Sequence, residues 1–208
     1  MNKNFLIILL LFLSFGIFAQ NADSYKKGYQ FSIKIKNSAD TVIYFGHYFA
    51  NHQYAIDTSF VDKKGVFKFK NTEKEMFPGM YFFATPSGKY FEILIDPLKE
   101  DINFDIETED ANLVQHLKIK GSLQNQLFYE YSRFNQGMYV KLDSIKKADN
   151  LSEEEQKPIR EKFGEIVDSN KLVFMEKYPN HFLTRILNAT KDIDIPPFPK
   201  DEIGRAHV

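Results

Sequence analysis

Residues 117–127 read Leu-Lys-Ile-Lys-Gly-Ser-Leu-Gln-Asn-Gln-Leu, and within them the chain changes period. Leu117 and Ile119 alternate with Lys118 and Lys120, which places the apolar pair on one face of a strand. After Gly121 the spacing lengthens. Ser122 is suited to an N-cap, and Leu123, Leu127, Tyr131, Phe134, Met138, Leu142 and Ile145 recur every three or four residues. That stripe predicts a helix of about seven turns. A β-rich first part therefore hands over to a helical second part.

Upstream, the same two-residue period repeats. Phe31, Ile33 and Ile35 alternate with Ser32, Lys34 and Lys36; Phe67 and Phe69 alternate with Lys68 and Lys70 after the turn signal Lys64-Gly65. Ile102, Phe104 and Ile106 form another such set, and residues 42–49, 54–60, 80–84 and 90–95 are further candidates. Pro78-Gly79, Pro86-Ser87-Gly88 and Asp96-Pro97 punctuate them. About eight short strands at this spacing predict an antiparallel β-sandwich or a partly open barrel. The 21 phenylalanines and 11 tyrosines suit such a sheet core.

Downstream, residues 146–150 interrupt the first helix, and Ser152-Glu153-Glu154-Glu155 forms a capping box for the second. Ile159, Phe163, Ile166, Val167, Asn170, Val173 and Phe174 make its stripe, which Tyr178-Pro179-Asn180 ends. Residues 181–189 predict a short third helix. The short polar link makes the first two an antiparallel hairpin, and both stripes require cover. The expected class is α+β: a β domain at 20–121, a helical region at 122–190, and a Pro-rich linker at 191–202.

The front end has the layout of a secretory signal peptide over residues 1–19: Lys3, an apolar run over 5–19, and Ile17-Phe18-Ala19 as cleavage site. That run falls short of the roughly 20 residues a spanning helix needs, so no stable membrane insertion is expected after cleavage. The chain has no cysteine, which excludes a lipobox anchor, disulfides and thiolate chemistry within it. A periplasmic protein that is not a lipoprotein is expected. The formal net charge of −1 offers no pull toward nucleic acid. At the far end, Ile203-Gly204-Arg205-Ala206-His207-Val208 reads as translated sequencing adapter, so residues 203–208 are expected to be an artefact and the native protein to continue.

No phosphate-cradling glycine loop, dinucleotide fingerprint, His-Glu-x-x-His pair or Gly-x-Ser-x-Gly elbow occurs. No catalytic residue, metal or cofactor is assigned, and this stretch of chain is not expected to be an enzyme. Tyr44, His47, Tyr48, His52 and Tyr54 gather around a hairpin loop at 49–53, where their rings could stack on a sugar or peptide. The two histidines lack a carboxylate partner and make an incomplete metal site. Asp96, Glu100, Asp101 and Asp105 lack the alternating ligands and mid-loop glycine of a calcium loop; they predict a solvated turn and strand edge. Glu107, Glu109 and Asp110 predict a polar loop, His116 a strand position, and His181 a structural place at a helix start.

Several segments also resemble a known family. Asp57-Thr58-Ser59-Phe60-Val61 with Gly65-Val66-Phe67-Lys68-Phe69, then Pro78-Gly79-Met80-Tyr81, Phe91-Glu92-Ile93-Leu94-Ile95-Asp96 and Ile119-Lys120-Gly121-Ser122-Leu123-Gln124-Asn125 are similar to an N-terminal domain of unknown function. That domain is found in Bacteroidota periplasmic thioredoxin-like proteins. Tyr178-Pro179-Asn180-His181-Phe182 and Ile195-Pro196-Pro197 resemble the helical region that follows it and its exit. The resemblance implies a non-catalytic module that positions or recruits substrates for a downstream thioredoxin-like domain of the same chain, with periplasmic proteins as substrates. The family's Cys-x-x-Cys would lie beyond Asp201, so no catalytic residue carries over. The alternative is an independent periplasmic glycan- or peptide-binding β-sandwich.

Overall fold

A computed structural model describes residues 27–100, 102–148 and 151–190. The expected signal peptide at 1–19, the expected Pro-rich linker at 191–202, the terminal 203–208 and Asp101 lie outside them. Eight strands are present among the described residues: β1 (Lys27–Lys36), β2 (Val42–Phe49), β3 (His52–Phe60), β4 (Val66–Glu75), β5 (Gly79–Ala84), β6 (Tyr90–Ile95), β7 (Asn103–Glu109) and β8 (Lys118–Lys120). Helices α1 (Leu123–Ala148), α2 (Glu153–Lys177) and α3 (Phe182–Ala189) follow. The chain divides into two compact units, 1–126 and 127–208, so the first turn of α1 belongs to the β unit.

The strands form two four-stranded sheets, ordered β4-β1-β7-β8 and β3-β2-β5-β6, and neither closes into a barrel. The fold is an α+β sandwich, with one departure from the antiparallel expectation: β1 runs parallel to β7, Phe31 opposite Phe104 and Ile33 opposite Ile106. A parallel pair needs a long crossover. Here the second sheet, built from the intervening chain, supplies it.

Alternation fills the space between the sheets with rings. Phe31 is 1% exposed and lies 5.0 Å from Phe45, 5.3 Å from Phe83 and 4.8 Å from Phe104, centroid to centroid. Phe45 in turn stacks on Phe83 at 5.0 Å and on Tyr81 at 5.6 Å. Offset and edge-on contacts at these separations add to what burial alone contributes. Lysines take the opposite parity on β1, β4 and β8, so the outward face of the first sheet is charged. Glu107, expected in a loop, instead lies within β7 and pairs with Lys36 at 2.7 Å. Its carboxyl is held below the usual range chiefly by that hydrogen bond.

The turn before β4 is organised by Asp62. Its Oδ1 accepts from the backbone N–H of Lys64 (2.8 Å) and Val66 (3.0 Å), and Gly65 takes φ 75. These backbone bonds, with Lys68 at 3.1 Å, lower the Asp62 pKa. A depressed carboxylate stabilises the fold above its ordinary pKa of about 4, and the contribution disappears as pH falls through the lower folded value. Asp62→Ala is therefore expected to lower the urea midpoint at pH 7. At pH 2 the gap between variant and parent should shrink toward zero; an unchanged gap would count against the charge-assisted turn.

In the helical unit the capping box forms: Ser152 Oγ accepts from Glu155 N–H at 3.4 Å, and the Glu155 carboxylate accepts from Ser152 N–H at 2.9 Å. Tyr131 of α1 meets Phe174 near the end of α2 at 5.2 Å, as an antiparallel hairpin requires. Cover of the two stripes is only partial. Leu127 and Phe174 are buried, whereas Leu123 (64%) and Val173 (57%) are exposed, because two helices cover only one side of each other. His181 caps α3, its Nδ1 accepting from Leu183 N–H at 3.1 Å. His116, expected in a strand, lies in the turn before β8, which begins at Lys118.

Candidate functional site

The hairpin of β2 and β3 carries the five residues marked by the sequence. It closes through Ala50 and Asn51, with Ala50 at φ 52. Side chains dislike this left-handed region, which costs about 1–2 kcal/mol, while glycine there costs about 0.5–1 kcal/mol in added unfolded-state freedom. Ala50→Gly is expected to stabilise the domain by about 0.5 kcal/mol, visible as a raised urea midpoint. A loss of stability would show that the methyl group makes a contact worth more than the strain.

Strand parity splits the five residues between two faces. Tyr44 and Tyr48 point outward with Gly46, whereas His47 shares the inner parity of Phe45. A register shift between Phe45 and Gly46 sets Tyr54 opposite His47 and His52 opposite Phe49. The imidazole of His47 stacks on Tyr54 at 5.6 Å and lies 6.1 Å from Tyr81, while His52 meets Tyr54 edge-on at 6.3 Å. His47, His52 and Tyr54 thus form one cluster. Tyr44 and Tyr48 lie on the opposite face, with separate neighbours.

On the outer face, Gly46 permits a close approach. A Cβ there would sit 2.3 Å from the tip of the Phe82 ring, so only glycine lets that ring approach the strand this closely. Tyr48 packs against Phe82 at 5.1 Å and donates its hydroxyl to Glu92 Oε1 at 2.8 Å. Burial, followed by that hydrogen bond to a carboxylate, pushes the Tyr48 hydroxyl well above its ordinary pKa, so it stays a neutral donor. One row further, Tyr44 and Tyr90 both pair with Ala84 from opposite sides, and both rings are exposed.

On the inner side, the hairpin end and the segment between β4 and β5 enclose a cleft of about 520 Å³. His47, Phe49, Ile56, Met76, Phe77 and Tyr81 line it together with Tyr48, Lys74 and Glu75, so its wall is aromatic and apolar with one charge of each sign. Tyr81 fixes the segment: its hydroxyl donates to Phe77 O at 2.9 Å and accepts from Phe77 N–H at 3.3 Å. Burial raises the Tyr81 pKa. Phe49 (68%) and Phe77 (56%) are open to solvent at the rim. The sequence reading left out Phe49, Ile56, Phe77 and Tyr81, two pairs about twenty or more positions apart along the chain; Pro-Gly-x-Tyr was the available signal for Tyr81.

Of the acidic group at 96–105, Asp105 is exposed on β7 as expected, and Asp96 and Glu100 depart from the solvated form. Asp96 is 1% exposed, and Glu100 accepts from the Ser122 hydroxyl at the start of α1. A carboxylate favours that position because the first turn of a helix presents unpaired N–H groups. Among the described residues no three His, Asp or Glu side chains gather as a metal site would need.

Three residues after Ser122, Asn125 seals β6. Asn125, fully buried, accepts from Leu94 N–H at 2.7 Å and donates to Leu94 O at 2.8 Å. Its side-chain amide stands in for the neighbouring peptide that the edge strand lacks. Ser122 Oγ holds it, accepting from Asn125 Nδ2 at 2.9 Å and from its backbone N–H at 3.2 Å. Gly121 takes φ 97, and a Cβ there would come within 2.9 Å of Asn103 O.

Two stacked sheets leading through this seal into a helix define a β-sandwich domain with a helical exit. Residues 29–128 match the family model of a domain of unknown function, DUF4369, and the chain carries that domain. The match extends just past Asn125, so the seal belongs to the domain. No curated protein and no solved structure matches the chain.

Proposed function

We propose that this chain is the non-catalytic accessory module of an exported thiol–disulfide oxidoreductase-like protein, positioning or recruiting substrates for a thioredoxin-like domain of the same protein. The observation that carries the reading is the distribution of exposed rings in a cysteine-free chain. Tyr44, Phe49, Tyr54, Phe60, Phe77 and Tyr90 are all exposed, and all lie on or beside the second sheet. Aromatic surface of this kind marks a contact region rather than a solvated face. The family resemblance supplies the redox partner, and the leader-like residues 1–19 supply export to the periplasm. The protein substrates are those that a periplasmic redox domain would meet.

Two measurements test it. The gene read beyond codon 202 is expected to encode a Cys-x-x-Cys domain of thioredoxin type; a stop codon or an unrelated domain would overturn the proposal. The purified chain alone is expected to reduce an insulin disulfide no faster than buffer, since it holds no thiol. A second reading, an independent glycan-binding sandwich, is favoured by the two tyrosines flanking Ala84. It requires glycan-array binding that Tyr44→Ala and Tyr90→Ala abolish.

A further inference from the structure

Each sheet has two edges, and an exposed strand edge is a template for pairing with another chain unless something blunts it. On the first sheet, β4 carries Lys68, Lys70, Glu73, Lys74 and Glu75, and the Ser59 hydroxyl bonds both the N–H and C=O of Lys68 at 2.9 Å. The other edge, β8, is only three residues long and has lysine at both ends. On the second sheet, β6 is sealed at Leu94 by Asn125. Three edges are therefore guarded by charge, brevity or a side-chain amide.

The fourth is not. Residues 52–56 of β3 read His-Gln-Tyr-Ala-Ile, with no acidic, lysine, arginine or proline residue, and pair on one side only, with β2, among the described residues. Residues 52–55 are all exposed. Beside this edge lies the 520 Å³ cleft, to which Ile56 contributes a wall.

We propose that the β3 edge at residues 52–56 accepts a strand from an unfolded polypeptide, which adds to the second sheet and drops alternate side chains into the cleft of His47, Phe49, Ile56, Phe77 and Tyr81. Backbone bonds along such an edge give affinity without demanding a sequence, and the aromatic and apolar part of the cleft wall, Phe49, Ile56, Phe77 and Tyr81, favours apolar or aromatic residues at every second position, while Lys74 and Glu75 on the same wall offset each other in charge. The absence of charge on the edge favours an uncharged stretch. A second copy of the chain fits less well. Its own β3 would offer His52 and Tyr54, whose rings are already engaged within their own hairpin, and would leave the cleft unfilled. That the polypeptide is an exported protein awaiting disulfide chemistry rests on the accessory-module reading above.

The probe is lysozyme that has been reduced and carbamidomethylated, hence permanently unfolded, and labelled with fluorescein. Anisotropy is expected to show saturable binding, with native lysozyme inert, and amide exchange at residues 52–56 is expected to slow in the complex. Ala55→Lys places a charge on the edge and should weaken binding about fivefold; Phe49→Ala opens the cleft and should weaken it about tenfold. Gln53→Lys serves as the second edge variant, and circular dichroism checks that each variant folds. No binding, or binding indifferent to all folded variants, overturns the proposal. So does protection of residues 52–56 that rises with protein concentration in the absence of probe, which would identify a second copy as the occupant. A stop codon after residue 202 would remove the redox partner and leave these binding results unchanged, so the two readings fail separately.

Discussion

Asn125→Ala is expected to destabilise the β domain by about 2–4 kcal/mol, although the residue lies outside the sheets. The loss does not come from packing volume. Truncation leaves the N–H and C=O of Leu94 both buried and unpaired, and each such group costs about 1–3 kcal/mol. Asn125→Asp should fare little better: a carboxylate still accepts from Leu94 N–H but confronts the Leu94 carbonyl and loses its donor to Ser122. Urea unfolding followed by circular dichroism gives the magnitude, and amide exchange at Leu94 locates it. A loss below about 1 kcal/mol would mean that water replaces the amide at this edge.

Phe31→Ala should be comparable or larger, about 3–5 kcal/mol, because the ring fills the centre of the sandwich and leaves a cavity that neighbours cannot close. Its ring touches partners from both sheets, including Phe45, Phe83 and Phe104. Phe31→Leu keeps most of the volume and should cost about 1.5 kcal/mol or less. Phe49→Ala is the informative contrast. That ring is 68% exposed, so its removal should change stability by no more than about 0.5 kcal/mol while affecting binding. Equal costs for Phe31 and Phe49 would contradict the assignment of one to the core and the other to a contact surface.

Much of the β domain was legible because its determinant is local. Turn residues around the alternating sets left residues 42–49 and 90–95 as further strand candidates, and β2 and β6 have those same bounds. The change of period after Gly121 placed the start of α1. Parity alone would also have separated Tyr44 and Tyr48 from His47, since odd and even positions of one strand face opposite ways. The faces of His52 and Tyr54 were not legible, because they depend on the register shift opposite Phe45 and Gly46. Nor was the cleft, whose walls come from residues more than thirty positions apart. The burial of Asp96 and the Glu100 contact with Ser122 were likewise hidden, being set by how a loop meets a helix far along the chain. Charge-rich composition there pointed toward solvent.

The parallel pairing of β1 with β7 has a consequence for the order of events as the chain is made. A polypeptide emerges from its N-terminus, so β1 is first out, and β4 can occupy one of its sides early. The other side must wait for β7, after the entire second sheet has appeared. Until then a strand that carries Tyr29, Phe31, Ile33 and Ile35 on its inner face stands half-paired. Non-local pairing of this kind slows folding and lengthens exposure to aggregation. The vulnerable interval is built into the topology, and it closes only when β7 takes its place beside β1 and β8 follows.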